Sequence, residues 1–234
     1  MKAAAKTCLL LDLSHDEVSI VTHELCDPLQ PLLAVHLSST AKGLREAMEE
    51  QLAELKQQRQ AAAALAMLAG KAGCAQLRDA SRLVLGARWN KVLNPAHWRT
   101  LGTLARCGSL PELLGLEIPG SDNGAAGVAL LADGLRRGRL PSLRRLNLYD
   151  AQIGPQGATA LAPALTKRAL PSLEMLHLWS NQIGDAGLAA LAPALRRLPP
   201  LEFLDLGETN IGDEGVASLV AQPTAGALKS LEFL

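Results

Sequence analysis

The chain has no excess of charge of either sign: 23 Lys plus Arg stand against 23 Asp plus Glu, for a formal net charge of +0. A basic surface for nucleic acid or for an anionic membrane is therefore not indicated, and neither partner is expected. The four cysteines, Cys8, Cys26, Cys74 and Cys107, lie far apart and form no CxxC pair, which excludes a disulfide scaffold and points to reduced thiols. No apolar run is long enough to cross a membrane. The longest, AAAALAMLAG at 61–70, falls well short of the roughly 20 residues that a spanning helix needs. The amino terminus, MKAAAKTCLLLD, has its apolar run cut short by Asp12 and lacks a small-residue cleavage site, so it makes a poor signal peptide. A soluble protein of the cytoplasm or nucleus is expected.

Catalytic hardware is missing too. No nucleophile sits in a recognisable elbow and no GxxxxGK[ST] loop is present. His23 and Cys26 are three residues apart, but no second pair at zinc-site spacing accompanies them, and His15, His36 and His97 have no evident partners. No enzyme, metal site or cofactor is expected.

What the sequence does contain is a repeat. LPELLGLEI begins at Leu110, LPSLRRLNL at Leu140, LPSLEMLHL at Leu170, LPPLEFLDL at Leu198 and LKSLEFL at Leu228, with a weaker LRDASRLVL at Leu77. The intervals are 33, 30, 30, 28 and 30 residues. Each unit continues with a glycine-bearing landmark, DNGAAG at 122–127, IGPQG at 153–157, IGDAG at 183–187 and IGDEG at 211–215, and then an Ala/Leu-rich stretch. The first half has the two-residue period of a strand and the second has helical spacing, with Gly, Asp or Pro where a helix would start. Neither half can bury its apolar side alone. Stacking the units resolves this by placing a parallel sheet on the inside of an arc and helices outside.

The LxxLxL and IGxxG motifs resemble those of leucine-rich repeat proteins, and the 28 to 30 residue length with a full helix is similar to the ribonuclease-inhibitor-like class. The resemblance covers 77–234 and implies an α/β fold, a right-handed solenoid of about five and a half units in 73–234, the last unit truncated, preceded by a small all-α module in 1–72. The asparagine that closes the strand in this family occurs only as Asn181, while Ser121, Ala151 and Thr209 hold the equivalent places. Ala151 has no side-chain hydrogen bond to offer, so its turn is expected to be weaker by about 1 kcal/mol. Pro163 and Pro193, at matching places within helices, are expected to kink or split them.

Alternation then decides which side chains face away from the core. If the leucines of each strand point inward, the open face carries Arg82, Val84 and Gly86; Gly115, Glu117 and Pro119; Arg145, Asn147 and Tyr149; Met175, His177 and Trp179; Phe203, Asp205 and Gly207; and Phe233. The whole chain has only six aromatic residues, and Tyr149, Trp179, Phe203 and Phe233 are among these open positions. Tyr149 and Trp179 occupy matching places on neighbouring strands, so about 4.8 Å of sheet spacing should separate them. With Asn147, Met175, His177 and Phe203 they form the candidate partner-binding patch. The competing account is that these rings pack only on one another or beneath another part of the same chain.

The first seventy residues lie outside the repeat. Leu44, Met48, Leu52 and Leu55 recur at helical spacing, which predicts a long helix ending near Ala69. On the residues alone, this module serves to cap the first repeat. Its pattern also resembles an F-box: Leu13, Asp16, Glu17, Ile20 and Leu25 in the opening, Asp27 and Pro28 in the turn, Leu32, Leu33, Val35 and Leu37 in the apolar run, and Lys42 and Arg45 at the end. Ser14 replaces the family's proline and Leu44 its tryptophan. That resemblance implies docking onto the adaptor subunit of a cullin ubiquitin ligase through Leu13, Ile20, Leu25, Pro28, Leu32 and Val35. Two other roles stay open. One is a regulator like the Ran GTPase-activating proteins, which also use such repeats and for which Arg88 is the candidate by position. The other is a structural solenoid fragment with no dedicated ligand.

Overall fold

The computed structural model describes residues 49–85, 93–120, 124–137 and 140–221. Helix α1 (Glu49–Leu68) and a short α2 (Cys74–Arg78) lead into β1 (Arg82–Val84) and α3 (Pro95–Cys107). Then come β2 (Gly115–Glu117) and α4 (Gly124–Leu135), β3 (Arg145–Asn147) and α5 (Gly154–Leu161), β4 (Met175–His177) and α6 (Gly184–Leu195), and β5 (Phe203–Asp205) and α7 (Asp213–Val220). The five strands form one parallel sheet in chain order. Equivalent repeat residues pair directly, so Leu83, Leu116, Leu146, Leu176 and Leu204 form one continuous row.

That row is the floor of the core. All five leucines are fully buried, as are Ile118, Leu148 and Leu178 of the following row. The helices close over them with Leu101, Leu131, Leu161, Leu191 and Leu219, one from each of α3 to α7. Each of these five helices packs on the next. Fully burying a leucine contributes about 2 kcal/mol, and the repeat supplies several per unit, which is why three-residue strands suffice. α3 and α4 approach closely at Gly134, where a Cβ would lie 2.1 Å from the carbonyl oxygen of Gly102.

α1 runs to Leu68, one residue short of the expected end, and packs against α2 and α3. Its Ala62, Leu65 and Ala66 belong to the same core as the strand leucines. α3 opens with a capping box: Asn94 Oδ1 accepts from the His97 N–H at 2.9 Å, and the Asn94 N–H donates to His97 Nδ1 at 3.2 Å. His97 thus has a structural partner that the sequence did not suggest.

Two expectations need correction. The Ala151 turn is not under-held, because the support comes from the next unit. Asn181 Oδ1 accepts the N–H groups of Ala151 at 2.9 Å and Ile153 at 3.2 Å, and its Nδ2 donates to the carbonyls of Leu148 at 2.7 Å and Leu178 at 2.9 Å. A side chain at 181 therefore ties the turn thirty residues before it. The Thr209 hydroxyl stays within its own unit, donating to the Leu206 carbonyl, and it is the Thr209 backbone carbonyl that reaches the preceding unit, accepting from the Gly184 N–H at 2.9 Å.

The prolines also differ from one another. Pro163 does split its helix: α5 stops at Leu161 and a 3-10 turn follows over Ala162–Ala164. Pro193 lies inside an unbroken α6. The first unit has two more residues between the proline and the next strand, and they form a turn in which Thr166 Oγ1 accepts from the Ala169 N–H. In the shorter unit the helix continues past the proline, with Arg196 N–H bonded to the Ala192 carbonyl. A proline this near the carboxyl end removes one hydrogen bond and leaves the preceding turns intact.

Candidate functional site

The face of the sheet away from the leucines carries three parallel rows. The first is Arg82, Gly115, Arg145, Met175 and Phe203, and the second is Val84, Glu117, Asn147, His177 and Asp205. The third, just beyond the strands, includes Pro119, Tyr149, Trp179 and Gly207. All six residues of the expected patch stand in these rows.

Tyr149 and Trp179 stack, with ring centroids 4.9 Å apart and planes inclined by 19°, in agreement with the sheet spacing. Tyr149 remains 40% exposed. On its other side Trp179 lies against bare backbone: a Cβ on Gly207 would come 2.5 Å from indole Cδ1 and 2.8 Å from Nε1. The rings of His177 and Phe203 also meet, at 4.6 Å and 34°. The rings therefore do pack on one another, and part of their surface still faces outward.

Polar groups hold this arrangement from below. Asn147 Oδ1 accepts from the Tyr149 N–H at 3.0 Å, and Asp205 Oδ1 accepts from the Gly207 N–H at 3.1 Å, the same two-residue bridge on two strands. These bonds tether the third row to the second. The turns beyond carry the strain: Asp150, Gln152, Ser180, Gln182, Glu208 and Asn210 all have positive φ, two in each of three successive units. Such residues cost about 1 kcal/mol each in the left-handed region and persist because the stacked units over-determine the turn.

Charge is unevenly spread across the face. Glu117 is nearly buried and accepts two hydrogen bonds from the Arg82 guanidinium, from Nε at 2.7 Å and Nη2 at 2.9 Å, which keeps Arg82 even more firmly protonated than usual. Arg144 pairs with Glu174 at 2.9 Å just before the strands. Arg145 Nε contacts Met175 Sδ at 3.3 Å. Asp205 Oδ2 lies 3.7 Å from His177 Nδ1. Burial lowers the His177 pKa, Asp205 partly offsets this, and Arg145 adds to it.

Sequence reasoning placed the rings but missed the roles of Asp205, Glu117 and Gly207. The signal was available for Asp205 and Gly207, which sit two apart as Asn147 and Tyr149 do. The remaining candidates, Leu13, Ile20, Leu25, Pro28, Leu32 and Val35 of the adaptor-docking set together with Gly86, Arg88 and Phe233, lie outside the described residues. Among the described residues no group of three His, Cys, Asp or Glu is arranged to hold a metal ion, and no helix is long and apolar enough to cross a membrane.

A family model described as Leucine Rich repeat matches three times, at 139–162, 169–192 and 197–220, about a third of the chain. Each match begins just before a strand and extends into the helix that follows it, so the family's unit is the strand-turn-helix unit of the structure. No curated protein matches the chain.

Proposed function

We propose that this chain, whose residues 139–220 carry leucine-rich repeats, is a protein-binding scaffold that holds its partner on the open face of the sheet, at Asn147, Tyr149, Met175, His177, Trp179 and Phe203. Repeats of this family are generally protein-interaction modules. The observation that carries the assignment is the Tyr149–Trp179 stack, two large rings on the side of the sheet where the core is not. Large amphipathic rings on a rigid platform are typical anchors, because they contribute contact area with little entropy to lose. The units wind into a right-handed solenoid of the ribonuclease-inhibitor-like class on this reading, as parallel strand-helix-strand connections do with few exceptions.

The test uses a photo-cross-linking residue at Asn147, compared with the same residue at Ala129 on α4, in the full chain. Cross-linked proteins specific to position 147 and lost on adding Trp179→Ala are expected. Equal capture at both positions, or capture indifferent to Trp179, would refute the assignment.

We further propose that residues 1–72 dock the chain to a ubiquitin-ligase adaptor, so that the repeats select a substrate in the cytoplasm or nucleus. The F-box-like spacing of Leu13, Ile20, Leu25, Pro28, Leu32 and Val35 supports this. In the full chain, Ile20→Asp or Leu25→Asp should abolish binding to purified adaptor while the helical circular dichroism persists. Wild-type protein that does not bind adaptor would leave residues 1–72 the role of a cap.

A further inference from the structure

We infer that the Tyr149–Trp179 stack is a seat for a positively charged side chain, an arginine or lysine in a basic segment of the bound protein. The inference rests on the open face being the binding surface and adds the chemistry that it selects.

The rings supply the first half of the argument. The indole lies between the phenol and the Gly207 backbone, so the ring face left for a ligand is the outer face of Tyr149, whose residue is 40% exposed, and an aromatic face attracts a cation through its quadrupole, with arginine able to stack as well. The second half is the distribution of charge around them. Asp205, in the adjoining row, is held by the Gly207 N–H directly beneath the indole and keeps about a quarter of its side chain exposed. Asp150 and Glu208 follow Tyr149 and Gly207 in the chain, and both are exposed. Their backbones are local to the stack: the Asp150 N–H donates to the Trp179 carbonyl at 3.0 Å, and the Ser180 N–H to the Gly207 carbonyl at 2.9 Å. Among the described residues neither Asp150 nor Glu208 takes part in an ion pair.

The cations of the same face are elsewhere. Arg82 is bound to Glu117 and Arg144 to Glu174. Arg145 is on the strand of Tyr149 but four residues before it, roughly 13 Å away at strand rise, and its guanidinium rests on Met175. The near neighbour His177 is kept toward its neutral form by burial, so it does not cancel the Asp205 charge near pH 7. The result is a face whose charges are largely paired where the strands begin and whose carboxylates stand without a cation where they end, with the exposed rings at the acidic end. An acidic segment would meet three carboxylates there, and a purely apolar one would bury them without compensation. A basic side chain meets both the rings and the charge.

The experiment follows the Trp179 indole N–H of the full chain by NMR, identified by its loss in Trp179→Phe, while short peptides alternating glycine with arginine, lysine, glutamate or leucine are added. The arginine and lysine peptides should shift Trp179 and leave Trp98 unmoved, and their binding should weaken steeply with salt. Asp205→Asn, which retains an acceptor for the Gly207 N–H, combined with Glu208→Gln should weaken that binding tenfold or more. A glutamate or leucine peptide that shifts Trp179 equally well would overturn the cation assignment and leave the open face as a docking surface. Undiminished binding to the neutralised variant would overturn it too. If no peptide moves Trp179 while position 147 still cross-links its partner, the seat is not for a cation. If neither occurs, the binding face itself is wrong.

Discussion

The indole of Trp179 lies so close to the backbone of Gly207 that a Cβ there would stand 2.5 Å from its Cδ1. The glycine is the reason the ring can lie flat between Tyr149 and the next strand. Its backbone is not in the left-handed region, so alanine is conformationally acceptable and the conflict is with the ring alone. Gly207→Ala should therefore push Trp179 off Tyr149 and change the near-ultraviolet circular dichroism of the stack. Partner binding should fall with it, while the urea midpoint moves by less than about 1 kcal/mol equivalent. An unchanged aromatic signal would show that the ring has another resting place.

Asn181 joins two units through one amide. It is fully buried, it accepts from Ala151 and Ile153, and it donates to Leu148 and Leu178. Asn181→Ala leaves those buried groups without partners, and each costs about 1–3 kcal/mol. A loss of about 3 kcal/mol in urea denaturation is expected. Asn181→Asp should be no milder, because it buries a charge and removes the donors to both carbonyls. The loss should appear in hydrogen exchange at the 150–154 turn before it appears in β1.

Why the turn near Ala151 was misjudged from sequence is instructive. The period identified strands, helices and buried leucines, because each is set by alternation within one unit. The hydrogen bonds of Asn181 run between units, and a linear pattern does not say whether a side chain serves its own turn or its neighbour's. Pro163 and Pro193 teach the same lesson: they look alike in their own helices, and only the two extra residues before Leu170 separate a broken helix from a continuous one. For the site, the rings were legible because there are few of them and they fall out of phase with the leucines. The acidic end of the face was not, since Asp150 and Glu208 acquire meaning only once the third row is seen in register.

Acidification should weaken the fold over the histidine range. His97 and His177 both have pKa values lowered by burial, His177 with Asp205 opposing and Arg145 reinforcing the shift. A folded-state pKa below the unfolded one means that the unfolded chain binds protons first. Stability is then fully present above the unfolded value, about 6.5, and is lost as pH falls through it toward the folded values. His97 has a further reason, since protonating Nδ1 removes the acceptor used by the Asn94 N–H. The urea midpoint should fall from pH 7.5 to pH 5, and His97→Gln with His177→Gln should make that slope shallower. A steeper slope in the double variant would mean that the Asp205 contact dominates His177.

Trp98 and Trp179 make a controlled pair, the same side chain on opposite sides of one sheet. Trp98 is fully buried in α3, with its ring against the backbone of Gly127, where a Cβ would come within 2.4 Å. Trp179 stands on the open face, packed on one ring and one glycine. Removing a buried Trp costs about 3–5 kcal/mol, and the closely fitted Gly127 backbone cannot collapse into the space. Trp98→Ala should therefore lower stability by that amount and affect binding only through unfolding. Trp179→Ala should do the reverse, lowering stability by less than about 1 kcal/mol and weakening partner binding by about 2 kcal/mol or more. The discriminating measurement is denaturation and binding on both variants under one condition. If Trp179→Ala proves as destabilising as Trp98→Ala while binding is untouched, the open-face ring is a packing residue and another part of the chain covers it.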